Sequence, residues 1–253
     1  MDDTDFAKSA SDCVPLNDER RVLDILKRTV ANLWDTIDGL CRLRPTHRRR
    51  FHVTVFGSGR ISPETQLYQD VRQLAAALAR MGCVVVTGGG QGLMRAANEG
   101  AMLGGGTTPD CSVGLKLDLE AETANPYTGR LYRHGSFFTR LQHFILLSDA
   151  YVAFSGGIGT LLELSAVWQL LQVHQLYNTP LILVGDMWPG ILGWARQAML
   201  EGDLALIDQI DLNIPRCVPN IAGALAIIQE HYDAWKSHKA SHPEASILLE
   251  SYD

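Results

Sequence analysis

Three times in this chain a short apolar, β-branched run ends in a glycine turn and passes straight into helical periodicity. Residues 52–56 (HVTVF) lead into Gly57-Ser58-Gly59, then into apolar positions at Leu67, Val71, Leu74, Leu78 and Met81. Residues 83–87 (CVVVT) lead into Gly88-Gly89-Gly90-Gln91-Gly92 and a helical stretch over 93–103. Residues 150–154 lead into Ser155-Gly156-Gly157-Ile158-Gly159-Thr160 and a helical stretch over 161–173. A strand apolar on every residue is covered on both faces, and strands alternating with helices build a parallel sheet between two helical layers. The expected fold is therefore α/β: a single doubly wound Rossmann-like domain with a parallel sheet, plus an N-terminal helical extension.

The rest of the chain fits this plan. Residues 18–43 are apolar at three and four through Val22, Leu26, Val30, Leu33, Ile37 and Leu40, an amphipathic helix. Arg42, Arg44, Arg48, Arg49 and Arg50 follow it. That run reads as a solvated cationic helix end and linker, with an anion-binding or partner face as the other reading. Further strands are expected at 111–117, 180–184 and near 217–218, and helices at 137–147, 188–201 and 222–232. Residues 118–136 read as irregular. Gly82 and Gly104 read as helix ends. The organisation is a disordered tail over 1–17, the helix and basic linker over 18–50, the Rossmann-like domain over 51–235, and a disordered tail over 236–253.

Composition excludes several classes. Glycine numbers 23 among 253 residues, but it is clustered, which separates this chain from a fibrous or low-complexity one. A net charge of −6 argues against a general nucleic-acid binder. No apolar run approaches the roughly 18 residues of a membrane span. The opening MDDTDFAKSASD is too acidic for a secretory leader. Five scattered cysteines without a CxxC point to neither zinc nor a disulfide framework. The expectation is a cytoplasmic protein with no metal, no cofactor, and no membrane or nucleic-acid partner.

The glycine turns carry the chemistry. They sit at the carboxyl ends of strands, where doubly wound sheets bind ligands. Glycine lets the backbone approach an anion, and the following helix N-terminus adds partial positive charge. Three such turns describe a phosphate crevice; tight helix–strand packing without a ligand is the competing reading. The dinucleotide pattern GxGxxG fails at each turn, where Ser62, Arg95 and Leu162 stand in the last position. No GxxxxGK[ST] loop occurs. A nicotinamide dehydrogenase and a P-loop NTPase are thus disfavoured, and a mononucleotide or sugar phosphate fits better. In residues 155–163 (SGGIGTLLE), Gly157, Gly159 and Thr160 can cradle one phosphate. Glu163 follows on the same side of the helix. A carboxylate there accepts bonds from ribose hydroxyls, stabilises a cationic sugar transition state or orients a water. Complementing the helix dipole is its bland alternative.

With these segments the sequence resembles the LOG (LONELY GUY) family of nucleoside 5′-monophosphate phosphoribohydrolases. Residues 155–163 match the family's PGGxGTxxE, residues 88–98 its GGGPGxMEAAN, and Phe137-Phe138-Thr139-Arg140-Leu141 its FFxRK. Asn125-Pro126-Tyr127 and Ser148-Asp149-Ala150 also look like family positions. The resemblance spans roughly residues 50–232. It implies Arg140 and Glu163 as the catalytic pair. The candidate phosphate- and nucleotide-binding residues are Gly57 and Ser58; Gly88, Gly89, Gly90, Gly92 and Met94; and Gly156, Gly157, Ile158, Gly159 and Thr160. The implied reaction cleaves the N-glycosidic bond of AMP or a cytokinin-type N6-modified AMP to free base and ribose 5-phosphate. A homodimer or larger assembly is implied as well, and the helix over 161–176, apolar nearly all round, agrees with burial across an interface.

Four positions depart from the family pattern: Ser155, Leu141, Leu162 and Arg95. Arg95 contacts phosphate or is solvated. The departures keep open a different class, a non-catalytic nucleotide or molybdenum-cofactor carrier holding a phosphorylated pterin on the same glycine turns. A pyridoxal-phosphate lysine decarboxylase is rejected, because Lys116 stands alone between Arg28 and Lys236 without a supporting motif. His134, His143 and His174 lack metal-ligand spacing and read as surface or packing residues. Arg130, Arg133 and His134 read as a solvated loop or as a segment closing over the ligand. Trp168, Trp188, Trp194 and Trp235 read as core or interface.

Overall fold

A computed structural model describes residues 17–41, 49–105, 109–118 and 123–241 of the chain. Residues 1–16 of the tail expected over 1–17, the arginines at 42, 44 and 48, and everything from 242 onward lie outside the described residues. The chain forms two units, Met1–Thr46 and His47–Asp253. In the first, helix α1 (Glu19–Cys41) realises the amphipathic period, with Leu23, Ile25, Leu26 and Val30 exposed along it. The Asp18 carboxylate accepts the Arg21 N–H at 3.2 Å, a local start signal for the helix.

The second unit is built on a seven-stranded parallel sheet: β1 (His52–Phe56), β2 (Val84–Thr87), β3 (Ser112–Leu117), β4 (Arg130–His134), β5 (Ala150–Ala153), β6 (Leu181–Val184) and β7 (Pro215–Val218). The order is β4-β3-β2-β1-β5-β6-β7, so the chain winds outward one way from β1, returns, and winds out the other way from β5. The reversal falls between β1 and β5, which pair with Phe56 opposite Ala153. That is the switch point where a doubly wound sheet opens a crevice.

Helices α2 (Gln66–Arg80), α3 (Leu93–Gly105) and α8 (Ile221–Ser241) cover one face over Val53, Val55 and Val85. Helices α4 (Phe137–Leu147), α5 (Ile158–Gln172) and α6 (Trp188–Ala195) cover the other over Phe56, Val86, Val113 and Leu115. A π-helical turn, Arg196–Leu200, continues α6, and the four-residue α7 (Gln209–Leu212) precedes β7. Thr65 caps α2, its hydroxyl accepting the Tyr68 N–H at 3.2 Å.

Three expectations change. Residues 130–134, read as irregular, are the edge strand β4, half exposed along its length. Its sequence, RLYRH, lacks an apolar run because an edge strand has one covered flank only. Gly104 does not end α3, which continues to Gly105. A Cβ at Gly104 would lie 2.9 Å from the Ala76 Cα, and one at Gly100 would meet the Arg72 carbonyl. These glycines let α3 lie directly on the α2 backbone. The closing helix runs to Ser241, beyond the 235 boundary read from composition.

Phe144 of α4 is fully buried, its ring edge-on to Phe56 at 5.2 Å. Phe144→Ala is expected to cost about 3–5 kcal/mol, read by urea denaturation.

Candidate functional site

The three glycine turns converge on one backbone. The Ser58 N–H donates to the Ser155 carbonyl at 3.1 Å, and the Leu93 N–H donates to the Ser58 carbonyl at 2.9 Å. Gly92 makes this possible. Its φ is 66°, and a Cβ there would lie 2.7 Å from the Gly59 Cα. Ser155 contributes its carbonyl, a group that the proline of the resembled family would supply equally.

The turns are not equally open. A Cβ at Gly88 would lie 2.7 Å from the Met94 sulfur, and one at Gly90 2.8 Å from its methyl. Met94 therefore fills the room those glycines leave. A Cβ at Gly57 would meet Leu93 at 2.8 Å, and one at Gly156 would meet the Thr160 methyl at 2.8 Å. Gly157 and Gly159 by contrast face open space. Gly157 is the N-cap of α5 and supplies no side-chain cap. The first-turn N–H groups of α5 are thus without an intrahelical acceptor, the arrangement that binds anions.

Beneath the second turn lies a buried polar network. The Thr87 hydroxyl donates to the Asn98 Oδ1 at 2.6 Å and accepts the Gly89 N–H at 3.0 Å. The Asn98 Nδ2 donates to Ser112 at 2.9 Å. The Asn125 Nδ2 donates to the Gly90 carbonyl at 2.9 Å and to the Asn98 Oδ1 at 3.0 Å, and the Asn125 N–H to the Gly89 carbonyl at 2.9 Å. Asn98 and Asn125 stood in the matched motifs without a role; here they hold the turn's shape. Thr87 and Ser112 were missed, since a hydroxyl within an apolar strand carries no local signal.

At the mouth, α4 and α5 bring Arg140 and Glu163 together. The Arg140 Nη2 donates to the Glu163 Oε1 at 2.5 Å, and both side chains are largely buried. Ser136 caps α4, accepting the Thr139 N–H at 3.2 Å, and so fixes the turn that carries Arg140. The guanidinium lies over the rings of Phe137 and Phe144 at 5.8 and 5.7 Å. Its Nη1 would lie 3.7 Å from a Cβ at Gly88, which places the pair beside the second turn. Burial pushes the Glu163 carboxyl up to about 7, and the facing Arg140 pulls it only part of the way back. A carboxyl poised there can hold or release a proton near neutrality.

The other expected residues are accounted for. Arg130 pairs with Asp110 at 2.8 Å and Arg133 with Asp118 at 3.0 Å, ties that anchor β4 rather than leave a loose loop. The His134 Nε2 and His143 Nδ1 are hydrogen-bonded at 3.0 Å. Burial lowers both imidazoles; Arg140 lowers His134 further, and His134 lowers His143. Arg95 is not simply solvated: its guanidinium lies 5.5 Å over the Tyr127 ring, and its Nε is buried without a protein partner. Leu162 is half exposed on α5 and Trp188 fully buried in the core. Among the described residues no cluster of three His, Cys, Asp or Glu gathers as a metal site, and no helix is long and apolar enough to cross a membrane.

The model of the SLOG cluster4 family matches residues 50–180, more than half of the chain. Among solved structures, a molybdenum cofactor binding protein from the phototrophic bacterium Rippkaea orientalis is 21% identical, with a TM-score of 0.56 over 73% of this chain and 98% of that one. A Moco carrier protein from Chlamydomonas reinhardtii is 20% identical, with a TM-score of 0.53 over 72% and 98%. TM1055, a structural-genomics target, is 23% identical, with a TM-score of 0.52 over 71% and 99%. These likenesses show the fold. No curated protein matches the chain.

Two glycines separate the packed side of these turns from the open side. Gly92→Ala is expected to lower stability by at least about 2 kcal/mol through strain and collision. Gly157→Ala should stay within about 0.5 kcal/mol of the parent in the same denaturant titration. The Glu163 carboxyl also leaves a signature in stability against pH. It titrates near 7 when folded and near 4.5 when unfolded, so the unfolded chain releases the proton first. Relative to Glu163→Gln, the parent should be most stable below pH 4.5, lose that advantage as pH rises toward 7, and run parallel above. Melting curves of both proteins from pH 4 to 8.5 check the slope.

Proposed function

From a chain that belongs to the SLOG cluster4 family, we propose a nucleoside 5′-monophosphate phosphoribohydrolase, an enzyme releasing free base and ribose 5-phosphate. The observation that carries this reading is the Arg140–Glu163 pair, closed at 2.5 Å beside an uncapped helix N-terminus, with a carboxyl that titrates near 7. The phosphate sits on the open first turn of α5, on the N–H groups around Gly157, Ile158 and Gly159, with Thr160 behind them. The ribose then lies over Glu163. The bond between C1′ and the base nitrogen breaks with its electron pair leaving on the base, which takes up a proton. Water adds to C1′ and loses one. As positive charge develops on the ribosyl ring, the Glu163 carboxylate stabilises it and orients the water. Arg140 fixes the carboxylate and faces the phosphate side of the ring. The exposed apolar residues Ile158 and Leu162 on α5 and Phe137 and Phe138 on α4 fit a second copy of the chain packing at the mouth.

A second reading is favoured by the solved relatives, two of which are described as binding or carrying molybdenum cofactor and are matched over 98% of their lengths. In it the same crevice holds a phosphorylated pterin without cleaving it.

Incubating the purified chain with AMP, GMP, CMP, IMP and N6-isopentenyl-AMP, and assaying free base, separates the two. Hydrolysis of at least one nucleotide is expected, with Glu163→Gln slower by roughly 10²-fold or more. Inactivity across the panel together with tight binding of a pterin monophosphate would establish the carrier instead.

A further inference from the structure

The crevice gives no task to helix α1 (Glu19–Cys41). Among the described residues of its unit α1 is the only element, so its apolar side has nothing within that unit to pack on. Leu23, Leu26 and Val30 are each more than half exposed. A helix of this length is marginal in water by itself and takes its stability from packing an apolar face.

The spacing of that face is stricter than amphipathicity requires. From Leu23 the apolar positions step by three and four without a slip, through Leu26, Val30, Leu33, Ile37 and Leu40. This is a seven-residue repeat, with Leu23, Val30 and Ile37 at its first position (a) and Leu26, Leu33 and Leu40 at its fourth (d). No polar residue interrupts either position between 23 and 40. A straight α-helix drifts about 20° per heptad from such a repeat, so the seam stays on one partner only when helices supercoil. Valine and isoleucine at a with leucine at d is the composition that selects two parallel strands.

The charges agree with a partner of the same kind. Arg28 pairs with Asp24 at 3.2 Å and Arg21 with Asp18 at 3.6 Å, all four on the outer positions of the repeat. In a parallel, in-register pair, positions 22, 29 and 36 meet positions 27, 34 and 41 of the other helix. These are Val22, Thr29 and Thr36 against Lys27, Trp34 and Cys41, so no like charges oppose each other. The helix carries four acidic and four basic residues, without the cationic polar face that holds a helix on an anionic membrane.

We infer that α1 pairs with α1 of a second copy of this chain, as a parallel, in-register two-stranded coiled coil over residues 23–40. Position a packs on a, and d on d. The inference stands apart from the reaction proposed above and from any packing at the mouth of the crevice.

Disulfide trapping in the full chain tests it. Cys13, Cys41 and Cys217 are first changed to serine, which leaves the buried Cys83 and Cys111. Leu26→Cys and Leu33→Cys, each oxidised mildly with glutathione disulfide, should form covalent dimers, because paired d positions come close enough for a disulfide. Arg28→Cys, on the outer side, should give at least roughly fivefold less. Adding Val30→Lys to Leu26→Cys sets like charges against each other in the seam and should abolish the crosslink. A dimer that forms only between a Leu26→Cys chain and an Ile37→Cys chain marks an antiparallel pair and overturns the inference. Crosslinking at position 26 no greater than at position 28 overturns it too, whether the chain is then a monomer or held together elsewhere. An uncrosslinked Leu26→Cys chain that sediments with phosphatidylglycerol vesicles assigns the stripe to a membrane instead.

Discussion

Two hydrogen bonds to the backbone of Ser58 hold the crevice together. Its N–H reaches the turn after β5, and its carbonyl receives the N–H that opens α3. Through one residue the ends of β1, β2 and β5 are locked at a common height. The lock depends on close approach: with any side chain at position 92, α3 could not start against the Gly59 backbone. Everything at the mouth inherits its position from this junction. α5 begins where the β5 turn releases it, and Glu163 follows after its first turn. Arg140 comes from the helix that precedes β5 in the chain and meets Glu163 where α4 and α5 pack into the same core cluster, through Phe144, Leu164 and Val167.

Charge in this molecule is placed rather than abundant. The chain is acidic overall, at −6, yet the crevice gathers helix N–H groups and Arg140. Backbone dipoles attract an anion over short range and are indifferent to the net count. The one carboxylate admitted among them, Glu163, is held by Arg140 and by burial that keeps its proton affinity high.

The glycines illustrate how far local pattern reaches. Clusters after strands were readable as turns, because the loss of apolar β-branched residues and the onset of a 3.6 period bracket them. The individual tasks were not readable. Gly88 and Gly90 make room for Met94, Gly156 for Thr160, and Gly100 and Gly104 for the backbone of α2. Gly157 and Gly159, in the turn after β5, face open space. Nothing in the string GGGQG or GGIG separates these cases, since each depends on an atom supplied by another segment. The edge strand β4 escaped notice for a related reason. Its residues alternate too weakly to mark a strand, and it exists because β3 offers it an unpaired edge.

The order of strands and helices, the parallel sheet covered on both faces, the position of the glycine turns and the pairing of Arg140 with Glu163 were all legible in the amino-acid sequence. The first three follow from periodicity and turn chemistry, which act within a few residues; the pairing came through resemblance to a family. The tertiary structure alone decided which glycines of the turns face open space and how a buried Thr87–Asn98–Asn125 network shapes the second turn. Those outcomes are set by long-range packing, where burial and the identity of the neighbour determine what a side chain can do.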